Sequence, residues 1–581
     1  MKNILWHREK LLHRGIGILS FTLFLGISIR DDYPQDYFAM PLNRSVQLSG
    51  TFGELRSNHF HAGLDIKSKG GTIGEPLVAA ARGFISRISI QGSGYGNALY
   101  IDHPNGYTTV YAHLDRFTDE VQGYVKTMQY AQERFAIDLY PKPNQFPLEK
   151  SAVIGYMGNS GSSTGPHVHF EIRKTADQLP INPLLFGLTV EDKTHPGIRS
   201  VKIYHLDQEL HHIDEKEYSV ISLGVGKYGL KDTLTASAWR VGFGLKVYDQ
   251  MAGASNQNGI YSLSMLVDDI RQYQFALNRI PFSLTRYLNA HIDYAARRKS
   301  GGFFHRCFRL PGNALEMYEE DHERGVVQLF VNKARKVEIR ASDMSGNVSS
   351  LIFHVKRSST IDPVESPIHH YDVDYLQSAQ INTPDLMVAF EPHTFYQKIR
   401  LQSTKSEVIM PGFYAAAYHL GPADIPVHRY YDLTILSTNI PESLKSRAFI
   451  ARITEEGRVI NCGGTVQGAY VYGRVRSLGS FSVSVDTVAP EIIPIIFREN
   501  MRGLSKMQFR IGDDQRVEGQ GKSISFDATV DGKWILMEYD AKNARLAHWF
   551  DDRIQPGTYD FELRVRDDRG NVGTFRRTFT R

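Results

Sequence analysis

Two histidines set two residues apart, His167 and His169, close the run Gly155-Tyr-Met-Gly-Asn-Ser-Gly-Ser-Ser-Thr-Gly-Pro-His-Val-His-Phe-Glu171. Its Gly/Ser-rich part reads as a loop, and Pro166 to Ile172 reads as a short strand. Successive side chains on a strand point to opposite faces. His167, His169 and Glu171 therefore share one face, and Val168, Phe170 and Ile172 share the apolar one. Two imidazoles on one rigid strand can reach into one cleft, one as a metal ligand and the other handling a proton or an oxyanion. Taken alone, the pair is also what an exposed amphipathic strand would carry.

Other residues converge on the metal reading. Upstream lies His61-Ala-Gly-Leu-Asp65, an imidazole and a carboxylate four residues apart. Hydrolytic zinc sites commonly take three protein ligands of the His/His/carboxylate type and leave a fourth position for water. His61, Asp65 and one histidine of the later pair would supply such a set. Between them Tyr111-Ala-His113-Leu places a third histidine at the end of the strand-like run Tyr107–Tyr111.

Together these segments resemble the LytM/lysostaphin-type (M23) zinc metallopeptidases of bacterial cell walls. That family shows a His-x-x-x-Asp, then a Tyr-Ala-His-Leu, then a glycine-rich loop ending in His-x-His-Phe-Glu, and this chain has all three in order. The resemblance covers about residues 47–185. It implies that His61, Asp65 and His169 bind Zn2+ and that His113 and His167 are catalytic without being ligands. His59 lacks the four-residue spacing to Asp65 and reads as a cleft-edge or surface residue. Glu171 could orient His167 or a substrate amine, or simply be solvated.

The elements that position these residues read as β throughout: Leu77–Ala81, Phe84–Gln91, Ala98–Asp102, Tyr107–Tyr111, Ala152–Met157 and Val168–Arg173, separated by Gly and Asn-Gly turns. Gly92-x-Gly-x-Gly96 precedes a strand rather than a helix, so it is a hairpin turn and not a phosphate cradle. One stretch departs from the family pattern. Val125–Pro147 is longer than the usual link, with a helix expected from Met128 to Leu139, placed to wall or cap the cleft.

With 581 residues, the chain is too long for a single domain. The apolar run Gly15–Ile29 follows Lys2, Arg8, Lys10 and Arg14, so residues 1–32 read as a signal peptide or an uncleaved N-terminal membrane anchor. The zinc peptidase domain is expected over 33–189, a β-sandwich with an insertion around Phe275–Arg324 over 190–357, a β-rich domain over 365–485, and an Ig-like β-sandwich over 486–581. The fold class is therefore mainly β, an antiparallel LytM-type sheet domain followed by tandem sandwiches. Two openings, from Asp192 and from Asp486, and two closings, Asp343-Met-Ser-Gly-Asn347 and Asp567-Asp-Arg-Gly-Asn571, recur. Asp-x-x-Gly-Asn is a hairpin device; an ordinary turn is the reading and a calcium site the alternative. The two cysteines, Cys307 and Cys462, fall in different domains and are not expected to pair.

A net charge of only +4, with no dense basic run, argues against nucleic acid as a partner. The resemblance implies an exported endopeptidase, of the periplasm or cell envelope, cutting peptidoglycan peptide cross-links. The β-sandwich domains are expected to bind envelope partners or to restrain the enzyme. The alternative is a latent or non-catalytic M23-type module that controls other wall hydrolases; all five site residues being present favours catalysis.

Overall fold

The computed structural model describes residues 33–331, 333–358, 371–406, 409–515, 517–518 and 524–581. The run Gly15–Ile29, read as signal or anchor, lies outside them. Among the described residues no helix is long and apolar enough to cross a membrane.

The first part of the chain forms strands β1 (Leu48–Gly50), β2 (Leu64–Lys67), β3 (Pro76–Val78), β4 (Gly83–Ile90), β5 (Asn97–Asp102), β6 (Tyr107–Ala112) and β7 (Leu114–Phe117). Helix α1 (Asp119–Gln132) follows, then β8 (Ile137–Leu139), β9 (Val153–Met157) and β10 (His167–Lys174). The main antiparallel sheet runs β1-β2-β10-β6-β5-β4-β8, and β3-β9-β7 form a second, smaller sheet. The alternation in β10 works as its residue types demand. Val168, Phe170 and Ile172 are fully buried, with the Phe170 ring 5.4 Å from that of Tyr111 on β6. Each such side chain contributes about 1.5–3 kcal/mol on burial, which fixes the strand's register and turns its histidines to the opposite face.

The helix expected over Met128–Leu139 is displaced. It starts at Asp119, with Asp119 and Glu120 in the first turn, where the helix dipole favours negative charge. Val121, Val125 and Gln129 are buried at four-residue spacing, and Glu133 ends the helix in a left-handed conformation. Ile137 and Leu139 instead bury alternate side chains on an edge strand paired with β4. A free sheet edge supplies backbone partners that a longer helix would forgo.

Beyond residue 190 the chain is β-rich domains. Five- and eight-stranded sheets built from Gly197–Leu206 onward share one continuous apolar core with the first part, from Phe38 to Val355. The stretch read as an insertion carries helices α2 (Leu288–His291) and α3 (Tyr294–Ser300). It packs on the hairpin ahead of β2: the Phe60 amide donates to Thr285 Oγ1 at 2.8 Å and Asn289 Nδ2 to Asn58 Oδ1 at 2.9 Å. Six- and five-stranded sheets follow with their own core around Leu401, Leu433 and Phe481. Two four-stranded sheets end the chain around Phe509 and Phe561. Both cysteines are free.

Candidate metal centre

Sheet register brings the site together. Asp65 on β2 lies directly opposite His169 on β10, and Ala112, the last residue of β6, lies opposite His169 on the other side. His113 then takes a positive φ of 65° between β6 and β7, a turn that carries its ring alongside that of His167, centroids 4.8 Å apart. His61 enters from the hairpin before β2. Gly63 lets the chain pass there: a Cβ would fall 2.4 Å from the Phe170 carbonyl oxygen and 2.8 Å from Glu171 Cγ.

Three donor atoms meet at one point. His61 Nε2 is 3.0 Å from Asp65 Oδ1 and 2.9 Å from His169 Nδ1, and His169 Nδ1 is 2.9 Å from Asp65 Oδ1. The outer ring atoms decide the tautomers. His61 Nδ1 is 2.8 Å from the Thr51 carbonyl, which can only accept, so Nδ1 holds the proton and Nε2 presents a lone pair inward. His169 Nε2 donates to Glu171 Oε1 at 2.7 Å, which leaves Nδ1 facing inward. Two ring lone pairs and a carboxylate oxygen, all acceptors and buried, repel one another unless a proton or a cation sits among them. A His/His/Asp set of this kind suits a small divalent ion bound about 2.0–2.2 Å from each donor. The residues fit a metal.

The same geometry sets the charges. Burial pushes Asp65 upward, but its contacts with His61, His167 and His169 outweigh this and hold the carboxyl well below its usual range. Burial pushes His169 down, yet Asp65 and Glu171 overcome it and raise the imidazole to about 9. Without metal the centre therefore keeps a proton on His169, which an entering ion must displace. Burial lowers His61 to about 4, and burial with the charges of His169 and His167 lowers His113 to about 3. His113 Nδ1 donates to the Ser160 carbonyl at 2.9 Å. His167 Nδ1 donates to the Gly165 carbonyl at 2.8 Å, and its Nε2 lies 3.4 Å from Asp65 Oδ1.

The five predicted residues are thus all in one place. His59 is exposed, with its ring Nδ1 bonded to the Ser57 carbonyl. Glu171 does something the sequence reading did not include: fully buried, it orients His169. It also accepts from Tyr95 OH at 2.5 Å and Arg173 Nε at 2.6 Å. The Arg173 and His169 charges overcome burial and depress its carboxyl. Arg56, also unforeseen, holds Asp65 Oδ2 at 2.5 Å, leaving Oδ1 for the centre. The only advance signal was the place of Arg173 on the motif's own strand and of Tyr95 in the Gly92–Gly96 hairpin turn.

The end of the chain reaches the rim. Lys542, between strands Glu538–Asp540 and Arg545–Trp549, donates to the carbonyls of Asn159 and Ser163, in the loop that also binds His113 and His167. The Ala541 amide donates to the Gly92 carbonyl at 3.0 Å. Helix α1 supplies the other half of this contact, through Lys126–Asp551 at 2.6 Å and the Arg553 guanidinium 4.1 Å over the Tyr130 ring. Between the two contacts lies a cavity of about 490 Å³ lined by Phe135, Phe526, Trp534 and Tyr539 among others.

The model of peptidase family M23 matches residues 59–130, which hold His61, Asp65 and His113. The chain carries a peptidase family M23 domain. Downstream of this M23 domain a Zu5-like domain model matches residues 370–486. Among curated proteins, the DD-carboxypeptidase/endopeptidase Mpg of Neisseria meningitidis serogroup B is 34% identical over 154 residues, 26% of this chain and 29% of that protein. The cell division protein DipM of Caulobacter vibrioides is 26% identical over 159 residues, 27% of this chain and 20% of that protein. The chain thus spans less than a third of the length of either relative. Among solved structures, a mutant catalytic domain of the prophage-encoded M23 protein EnpA from Enterococcus faecalis is 23% identical. It covers 26% of this chain and 98% of that one, with a TM-score of 0.20.

Proposed function

We propose that this protein is an exported zinc metalloendopeptidase that hydrolyses amide bonds in the peptide cross-links of peptidoglycan. The observation that carries the reading is the meeting of three inward acceptors, His61 Nε2, Asp65 Oδ1 and His169 Nδ1, with two further imidazoles beside them. Mpg bears the name of a DD-carboxypeptidase/endopeptidase, which supports the substrate class. Peptidoglycan lies outside the cell membrane, so the reading requires export to the periplasm or cell envelope.

His61, Asp65 and His169 would hold the Zn2+, which when bound supplies a Lewis acid and a water acidified toward neutrality. The chain's own residues do the rest. Glu171 and the Thr51 carbonyl each hold one ring proton on the outward nitrogen, so that the inward nitrogens can face the ion, and Arg56 holds the second oxygen of Asp65 away. His167 Nε2, directed toward Asp65, is placed to take a proton from water or return it to the leaving amine. His113, neutral over the physiological range and anchored by Ser160, leaves Nε2 free to handle a proton or to contact the developing oxyanion. Cleavage is tested by incubating the zinc-loaded chain with purified peptidoglycan and identifying released muropeptides by mass spectrometry. Loss of cross-linked species, absent in His169→Ala and with a chelator, is the expected result. Intact cross-links with zinc bound would sink the reading.

One observation favours a second reading, that of a latent enzyme or a module regulating other wall hydrolases. Lys542 bonds the loop Asn159–Ser163 and so ties the rim of the cleft to the last domain. Lys542→Ala should then raise cleavage severalfold and speed amide exchange in that loop. Unchanged cleavage by this variant would leave the contact purely structural.

A further inference from the structure

The β domains build one carboxylate cluster twice. In the first, Asp192 precedes the strand Gly197–Leu206, Asp249 follows Arg240–Tyr248, and Asp343 follows Arg335–Ser342. One carboxylate oxygen from each lies within 4.8 Å of the other two. In the last domain Asp486 precedes Glu491–Ile496, and Asp513 and Asp514 follow Lys506–Gly512. Their oxygens meet within the same 4.8 Å. Asp567, after Thr558–Arg566, adds its field to Asp486.

The equivalence extends to the supporting bonds. Asn347 Nδ2 donates to Asp343 Oδ2 at 2.7 Å and to the Asp192 carbonyl at 3.2 Å. Asn571 Nδ2 donates to Asp567 Oδ2 at 2.7 Å and to the Asp486 carbonyl at 3.1 Å. Turn geometry alone would explain those contacts. It does not explain the oxygens left over.

Asp249 is 3% exposed, and its Oδ1 is buried with no hydrogen-bond partner. Asp486 is 2% exposed, with Oδ2 in the same condition, and both oxygens of Asp513 and the Oδ1 of Asn571 are likewise buried and unpartnered. The charges acting on Asp249 are those of Asp343 and Asp192, both repulsive; with burial as the larger cause they push its carboxyl up to about 7. Asp486 is pushed up to about 6, chiefly by burial and with Asp567, Asp513 and Asp514 adding to it. Gathering carboxylates in low dielectric without a cation is costly.

We propose that the two clusters are a pair of equivalent Ca2+ sites, one in each of these β domains. Every donor is an oxygen, with three carboxylates per site and neutral amide or backbone oxygens close by, as Ca2+ favours with its six to eight oxygen ligands. Among the described residues no nitrogen or sulfur donor joins either group, which sets them apart from the His/Asp/His centre. Each stands at a junction. The Asp249 and Asn258 backbones pair at 2.8 and 2.9 Å, and the next residue, Gly259, brackets Thr51 Oγ1 at 3.1 and 3.2 Å. The Thr51 carbonyl is the partner of His61 Nδ1. An ion on Asp249 therefore braces a loop one contact removed from the metal centre. Near the second cluster Asn461 Nδ2 donates to the Gln515 carbonyl at 3.2 Å, so an ion there stiffens the seat of the last domain on the Zu5-like one.

The test is equilibrium dialysis of the zinc-loaded full chain against radioactive Ca2+, with Asp249→Asn, Asp486→Asn and the double variant. The expected result is two Ca2+ per chain, one in each single variant and none in the double, with dissociation constants of roughly 10⁻⁴–10⁻³ M as in extracellular modules. The wild-type stoichiometry does not depend on any variant folding. No Ca2+ bound at millimolar concentration, a stoichiometry unmoved by the variants, or Mg2+ displacing Ca2+ at equal concentration would each overturn the proposal.

Discussion

The centre at His61, Asp65 and His169 and the cluster at Asp192, Asp249 and Asp343 each gather three potential ligands into a buried space, but they treat charge in opposite ways. In the first, every atom pointing away from the centre is engaged. Thr51 holds one ring, Glu171 the other, Arg56 the far carboxylate oxygen, and Arg173 the far oxygen of Glu171. The centre is organised with or without an ion, because a proton on His169 can occupy it. In the second, Asp249 keeps an oxygen with no partner and only like charges act on it. The nitrogen-ligand site holds a proton in place of its metal well above neutrality, whereas the carboxylate site, once its last proton leaves near pH 7, has only repulsion to store.

The largest effect that would sharpen this contrast is removal of a ligand. His61→Ala and His169→Ala should each lose stoichiometric zinc and all detectable cleavage, while Asp249→Asn should keep its zinc. Elemental analysis of the purified chains together with a muropeptide assay decides it; zinc retained at full stoichiometry in His169→Ala would break the assignment. Next come the two imidazoles beside the centre. His113→Ala and His167→Ala should bind zinc as the wild type does and lose about 10²–10⁴-fold in cleavage rate, the usual worth of a positioned acid or base. Loss of zinc from either would make that histidine a ligand instead.

Much of this centre was legible because its residues travel in short motifs. His61 and Asp65 are four residues apart, His167 and His169 two, and strand alternation alone puts the later pair on one face. The partner of Glu171 was not legible. It sits two residues from His169 and four from His167 on the same face, and it is held toward His169 by Arg173, two residues on along the same strand, and by Tyr95 from the turn between β4 and β5. The end of α1 was misplaced for a related reason: Ile137 and Leu139 suit either period, and the open edge of β4 decides for a strand. The mainly β class followed from the turn signals. By contrast, the Asp192 cluster draws its residues from three distant strand ends; its Asp192 opening and its Asp-x-x-Gly-Asn turn were visible, the latter as a turn with a calcium site the alternative, but Asp249 carried no signal.

A smaller effect probes how the centre is braced. Glu171→Gln keeps the shape but removes the charge that sets the His169 proton, and it leaves Arg173 buried without its anion. Partners of this kind typically contribute 10–100-fold to metal affinity, so zinc affinity measured against a competing chelator should weaken about 10–100-fold. An unchanged affinity would show that the Thr51 and Asp65 contacts alone suffice to orient the set.

The smallest expected effect is the most direct test of the contrast, because it changes sign. Asp249→Asn removes one of three mutually repelling charges and keeps nearly the same volume. In calcium-free buffer near pH 8, where the wild-type carboxyl is ionised, the variant should unfold at a temperature equal to or a few degrees above the wild type, since 1 kcal/mol moves a domain of this size by about 2–8 °C. With millimolar Ca2+ the order should reverse: an ion bound only to the folded wild type adds stability that grows with its concentration, and the variant has lost a charged ligand. The same pair of measurements on Asp65→Asn should show the calcium dependence of the wild type, because that carboxyl has His61, His169 and Arg56 as partners and stands outside both carboxylate clusters. Parallel melting curves for wild type and Asp249→Asn, with and without calcium, would mean that the unpartnered oxygens of the β domains are tolerated strain and that the two clusters do not differ in kind.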